Sequence, residues 1–273
     1  MIEHLNAWSK SLPQRYGWRY RTAESFKAEF EEITSTATNA LPANALYWRD
    51  QFGNWEAYTL MNTWRVIDLV RSCVWAFARE DVVCASLLAR SALETAAAFV
   101  DAARTVSATI SGVTKAHPGT ILDPAIDLRN TIVTSEELEQ YSLKTIFASR
   151  LPESETIYSP TNILTIITRI SKIRAQDFVL PTYGILCEAA HPNMLGRALY
   201  IHGSEPGQRP GNELRTLSPG NRPAPHFLAE SIVAALSWAC ATQVSASRLM
   251  SETIGAAVAR LEAMEGELDP TSG

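Results

Sequence analysis

From His226 to Gly266 the chain runs without a proline and with a single internal glycine, Gly255. Ala, Ser and Leu recur through "AALSWACATQVSASRLM", and a long stretch of this kind predicts an α-helix. About forty residues of helix would span about 60 Å, more than a compact domain of this chain length offers. The sequence therefore predicts either a break near Gly255 or an overhang used for self-association. Small side chains at Ala234, Ala235, Ala239, Ala241 and Ser245 would let a second helix approach closely, so a homo-oligomer is expected.

Helical signals dominate the remainder. "AESFKAEFEEITSTA" places Phe26, Phe30 and Ile33 at helical spacing. "NWEAYTLMNTWRVIDLVRSCVWAFA" follows, apolar nearly all round, with Asn54 as its expected cap. Asp81 is placed to cap the next run, "VVCASLLARSALETAAAFVDAARTV". The segment "SGVTKAHPGTILDP" reads as a loop, and Thr134 to Glu137 form a capping-box pattern opening a helix to about Ser149. Pro160 precedes a strongly amphipathic helix through Ile163, Ile166, Ile167, Ile170 and Ile173. "LPTYGILCEAAH" is one more helix, ended by Pro192, which drives the residue before it out of the α region.

Residues 203–225 are rich in Gly and Pro and read as an irregular loop, with "RALYI" and "ELRTL" able to pair as a hairpin. The expected fold is all-α: one helical bundle over residues 1–273 with a small irregular or β-hairpin insertion near 195–222. An N-terminal arm (1–21), the long C-terminal helix and a frayed tail (266–273) complete it. In the arm, "QRYGWRYR" interleaves Arg15, Arg19 and Arg21 with Tyr16, Trp18 and Tyr20. Such a string either stacks bases or packs its aromatics onto the bundle while the arginines stay wet.

The formal net charge of −5 argues against a generally basic nucleic-acid binder. The start "MIEHLNAWSK" has no signal-peptide pattern, and both long apolar stretches carry charges (Arg90 and Glu94 in one, Glu230 in the other), so no membrane span is expected. Cys73, Cys84, Cys187 and Cys240 stand singly, without CxxC spacing. Buried free thiols in a reducing compartment, the cytoplasm, are the expectation.

The candidate site starts from a helical wheel. Arg79, Ser86, Arg90, Glu94, Asp101 and Arg104 form one polar stripe on an otherwise apolar run. It is either a solvated edge or the wall of an interior cleft in which Arg90 and Glu94 need partners. Tyr183, Cys187 and His191 recur every fourth residue and share a face, with Glu188 three before His191. His191 is the candidate acid–base residue and Glu188 could orient it; equally, His191 could simply close a helix. Glu188-x-x-His191 is half of a di-iron pattern, but no second Glu-x-x-His occurs, so neither metal nor cofactor is expected.

The strings "ARSALETAAAFV", "FASRLPES", "SPTNILTIITRISK" and "YGILCEAAHPNMLG" together resemble an uncharacterised family of helical bacterial proteins, over about residues 84–202. The resemblance groups Arg90, Glu94, Arg150, Asn162, Tyr183, Glu188, His191 and Asn193 as one set and brings no activity with it. The chain is more distantly similar to the HEPN ribonucleases, whose Arg-x4-6-His signature acts on RNA phosphate across a dimer. Arg197 and His202 match that spacing. Their segment follows a proline-ended helix and Gly196, however, and alternates like a strand, which leaves His191 the better candidate.

Three function classes stand at this point. One is a helical protein of self-association or partner binding, in which the Arg/Glu/His set is a packing network. Another is a HEPN-like, metal-independent RNA-cleaving or RNA-binding protein, with His191, Arg90, Glu94 and Glu188 catalytic and Arg150, Asn162, Tyr183 and Asn193 binding. The third is a binder of a small anionic ligand clamped by arginines.

Overall fold

A computed structural model describes residues 41–116, 140–152, 159–204, 215–217 and 224–268, with isolated positions outside these ranges. The fold is all-α. Helix α1 spans Leu41–Ala78, α2 Val82–Ala116, α3 Ile163–Ser171, α4 Val179–Ala190 and α5 Met194–Ala198. Strands β1 (Ile201–Ser204) and β2 (Arg215–Leu217) follow, and α6 covers His226–Leu268. Residues 140–145 are also helical. The expected arm, the capping box at 134–137 and most of the 203–225 loop lie outside the described residues.

Several boundaries differ from expectation. Helix α1 begins at Leu41, not Asn54, and Asn54 lies inside it, donating from Nδ2 to Asp50 Oδ2 at 3.1 Å. The reason is tertiary: Leu46, Trp48, Phe52 and Trp55 continue the buried stripe upstream, offsetting the roughly 1 kcal/mol cost of Gly53 in a helix. Helix α2 runs on to Ala116, through the first residues of the expected loop. Of the hairpin strand expected at "RALYI" only Ile201 is in a strand, because Arg197 and Ala198 belong to α5 and β1 starts at Ile201. β1 and β2 pair antiparallel, Ile201 with Leu217 and His202 with Thr216. Arg197 and His202 therefore share no helix.

Helix α6 is continuous over 43 residues, about 65 Å, with no break at Gly255. Ile254 and Leu261 are buried on either side of that glycine, so the distal turns are covered rather than overhanging. Ala235 and Ala239 are likewise spent inside the chain, whereas Val233, Ser237, Ala241 and Ser245 form an outward stripe. Helix α2 and helix α6 each contain a stretch long and apolar enough to cross a membrane by length and composition; 50% and 44% of the respective windows are buried within the chain.

The chain groups into two compact units. The first takes Met1–Ser9, Asn62–Ala98 and Asn162–Val244; the second takes Lys10–Met61, Phe99–Thr161 and Ser245–Gly273. In the second, the fully buried Trp55 stacks on Tyr141 at 5.9 Å and meets Tyr58 edge-on, and Tyr58 in turn packs on Phe99.

The first unit carries the candidate site. Its α1–α2 hairpin is tight: Asp81 Oδ1 accepts from Cys84 N at 3.2 Å, the expected cap, while Glu80 takes a left-handed conformation (φ 62°). The Cys73 thiol donates to Ala85 O at 3.1 Å across the hairpin. Gln243 of α6 donates to Thr63 of α1 at 3.0 Å with both residues fully buried. The Trp238 indole N–H of α6 donates to Gln176, just before α4. Helix α3 inserts Ile166, Ile167 and Ile170, each contributing about 1.5–3 kcal/mol by leaving water. Helix α4 buries Val179, Thr182, Tyr183, Leu186 and Ala189.

Candidate functional site

The i,i+4 spacing on α2 predicts a pair, and the pair forms: Arg90 Nε donates to Glu94 Oε1 at 2.9 Å. About a quarter of each side chain is exposed, so this is an edge of the core rather than its interior. The phenol of Tyr183, reaching from α4, donates to the same carboxylate oxygen at 2.9 Å. Arg90 Nη2 approaches that phenol oxygen at 3.4 Å, and the guanidinium carbon lies 5.5 Å from the Tyr183 ring centroid. Arg90 Nη1 faces His191 Nε2 at 3.5 Å. Every nitrogen of one guanidinium is thus turned toward a neighbour, and the neighbours tie α2 to α4.

Electrostatics follow from the contacts. Burial works against the Arg90 charge, but the hydrogen bond and attraction of Glu94 outweigh it, and its proton is held more tightly than usual. Burial pushes the Tyr183 phenol well above the ordinary tyrosine value, reinforced by hydrogen bonding with Cys187 and Glu94. A neutral phenol donating to a carboxylate is the state this arrangement favours.

His191 caps α4 with an extended backbone (φ −91°, ψ 150°), as the following proline requires. Its amide donates to Cys187 O at 3.0 Å, while its side chain and that of Glu188 are exposed. Arginine offers only donors, so any hydrogen bond at 3.5 Å uses the His191 Nε2 lone pair and leaves the proton on Nδ1. That lone pair is the one a general base would need.

Asn193 carries two duties in the turn. Its side chain caps α5, accepting from Gly196 N at 3.3 Å, and its Nδ2 donates to Glu188 Oε2 at 2.6 Å. Gly196 makes the turn feasible. A Cβ there would lie 2.0 Å from His191 O and 3.3 Å from Ala189 O, both backbone atoms. In the sequence Gly196 marks only the start of the segment that follows the proline-ended helix. Close backbone approach leaves no sequence signal other than the glycine itself.

Two residues of the set have other placements. Asn162 is the N-cap of α3, its Oδ1 accepting from Leu164 N at 2.9 Å. Arg150 is exposed and belongs to the second unit. The polar stripe on α2 is also uneven: Ser86 is fully buried and bonds back to Val82 O at 2.8 Å, Arg104 is exposed, and Arg79 precedes the helix. Among the described residues, no group of three His, Cys, Asp or Glu side chains is placed to hold a metal ion.

No protein-family model matches the chain, and comparison with curated proteins and with solved structures gives no match.

Proposed function

We propose that this chain is a non-enzymatic helical protein of self-association or partner binding, in which Arg90, Glu94, Tyr183 and His191 brace the bundle. The supporting observation is the commitment of Arg90. Its Nε, Nη1 and Nη2 face Glu94, His191 and Tyr183 respectively, so each nitrogen of the guanidinium already has a neighbour within the bundle. Formal charge agrees: one arginine stands against Glu94 and Glu188, so an incoming phosphate would meet net negative charge. The outward stripe of small residues on α6 supports self-association. Four free cysteines suit a reducing compartment, and we place the protein in the cytoplasm, off the membrane.

Sedimentation at tens of micromolar, a range in which weak dimers populate, tests the assembly; a strict monomer there, with no partner captured, removes that reading. The HEPN-like alternative has behind it the approach of His191 to Arg90. It predicts chelator-resistant cleavage of single-stranded or transfer RNA, lost in His191→Ala and kept in His202→Ala. Absence of cleavage by the wild type, with Arg90→Ala lowering stability, favours the brace.

A further inference from the structure

The hairpin joining α1 to α2 flanks a groove of about 560 Å³, away from the Arg90 cluster along α2, lined by Arg71, Ser72, Trp75, Arg79, Cys84 and Leu88 among others. Its volume falls in the range of small-molecule sites. Trp75 is 60% exposed at its mouth, and the Arg79 guanidinium carbon sits 3.7 Å from the Trp75 ring centroid.

That contact differs in kind from those of Arg90. A guanidinium lying on an indole uses its π face, and its five N–H donors, which lie in the plane, are left over. No hydrogen bond or ion pair engages the Arg79 side chain among the described residues. Of the nearby carboxylates, Asp81 accepts from Cys84 N at 3.2 Å as the cap of α2, and Asp68 pairs with Arg71 at 2.6 Å; neither is bonded to Arg79. Arg79 is therefore a cation fixed in direction by Trp75 with its fork of donors unspent. Such a fork matches a carboxylate two bonds at a time.

The remaining walls select the rest of the ligand. Trp75, Ala76, Cys84 and Leu88 offer apolar area, and Ser72 a single hydroxyl. A second negative charge on the ligand would face Asp81 and the Asp68–Arg71 pair, so a monoanion fits better than a phosphate dianion. We propose that this groove binds a small planar carboxylic acid, its carboxylate paired with Arg79 and its ring laid against Trp75 and Leu88. The site is separate from the brace at Arg90 and stands whether or not the chain self-associates.

Titration calorimetry of the full chain with 1-naphthoate tests this. A 1:1 complex with Kd of roughly 0.1–1 mM is expected, the affinity that ligand efficiency allows a probe this small. The neutral 1-naphthamide should bind at least tenfold more weakly, and so should 1-naphthoate to Arg79→Gln and to Trp75→Leu. Inorganic phosphate should not compete, and Arg104→Gln should bind as wild type does. Both groove side chains are exposed, so their variants should melt with the wild type, separating loss of a site from loss of fold. No binding of naphthoate up to 5 mM (roughly 5–50 times the expected Kd) overturns the proposal. So does amide bound as tightly as acid, phosphate competing with naphthoate, or undiminished binding to Arg79→Gln.

Discussion

Arg90→Ala removes a charge-assisted hydrogen bond to Glu94, the approach to Tyr183, and a guanidinium near an aromatic face. Taken from fully buried partners, such a loss costs about 3–5 kcal/mol, because a charge is left stranded. Two features of the site reduce that figure. Glu94 retains the Tyr183 phenol as a donor at 2.9 Å, and its side chain is 28% exposed, so water reaches the carboxylate. A hydrogen bond to a charged group contributes about 1.5–3 kcal/mol and a partly exposed cation–π contact about 0.5–1; after rehydration of Glu94 we expect a net loss of about 2 kcal/mol. Arg104→Ala, on the exposed part of the same helix, should stay within about 0.5 kcal/mol. In urea unfolding followed by circular dichroism, the Arg90→Ala midpoint should drop with unchanged slope. Arg90→Lys, which keeps the charge but loses the fork, should fall between. Equal midpoints for Arg90→Ala and Arg104→Ala would refute the bracing role, whatever the oligomeric state.

Gly196→Ala should cost at least the 1–3 kcal/mol typical of overpacking, since the clash is with the His191 carbonyl and backbone cannot swing aside; Gly184→Ala, with open space around it, should instead stabilise its helix by up to about 1 kcal/mol. Thermal melts of the two variants should move in opposite directions. The raised phenol of Tyr183 sets an alkaline limit: above about pH 10 the unfolded chain releases a proton that the folded chain keeps, so stability falls as pH rises. Tyr183→Phe should flatten that fall, and an unchanged slope in denaturant titrations between pH 10 and 11 would show that the phenol is not held as described. Burial pushes the Cys73 thiol up to about 12, and Cys240 is also buried and raised. A thiol reagent at pH 8 should therefore modify Cys84 and Cys187 first, and the other two only on unfolding; four equal rates would contradict the burial.

What the sequence made legible were features whose cause is local. The isoleucine spacing of α3 is a surface of period 3.6, Asp81 is a cap because its side chain reaches the amide of Cys84, and Pro192 ends α4 by steric exclusion of the residue before it. The start of α1 was not legible, because Gly53 and Asn54 look like turn residues and only the burial of Trp48 and Phe52 overrides them. Within the site, the Arg90–Glu94 pair and the shared face of Tyr183 and His191 follow from helical spacing. That the two faces meet is tertiary, as is the exposure of Arg150, whereas the capping duty of Asn162 is local, its side chain reaching the amide of Leu164. The Trp75–Arg79 contact was readable as an i,i+4 aromatic–cation pair; that it borders a groove was not.

The two compact units have a consequence for how the chain is assembled in time. Helices α1, α2 and α6 each give one stretch to each unit, so neither unit corresponds to any single piece of the sequence that could be cut out and folded. The unit that holds the Arg90 cluster needs residues as far as Val244, whereas the other still waits for Leu261, which is fully buried. Closing segments so far apart carries a loop-entropy cost before any contact rewards it. During synthesis, then, the first unit can be completed while α6 is only half made, and the continued growth of that same helix delivers the last missing side of the second.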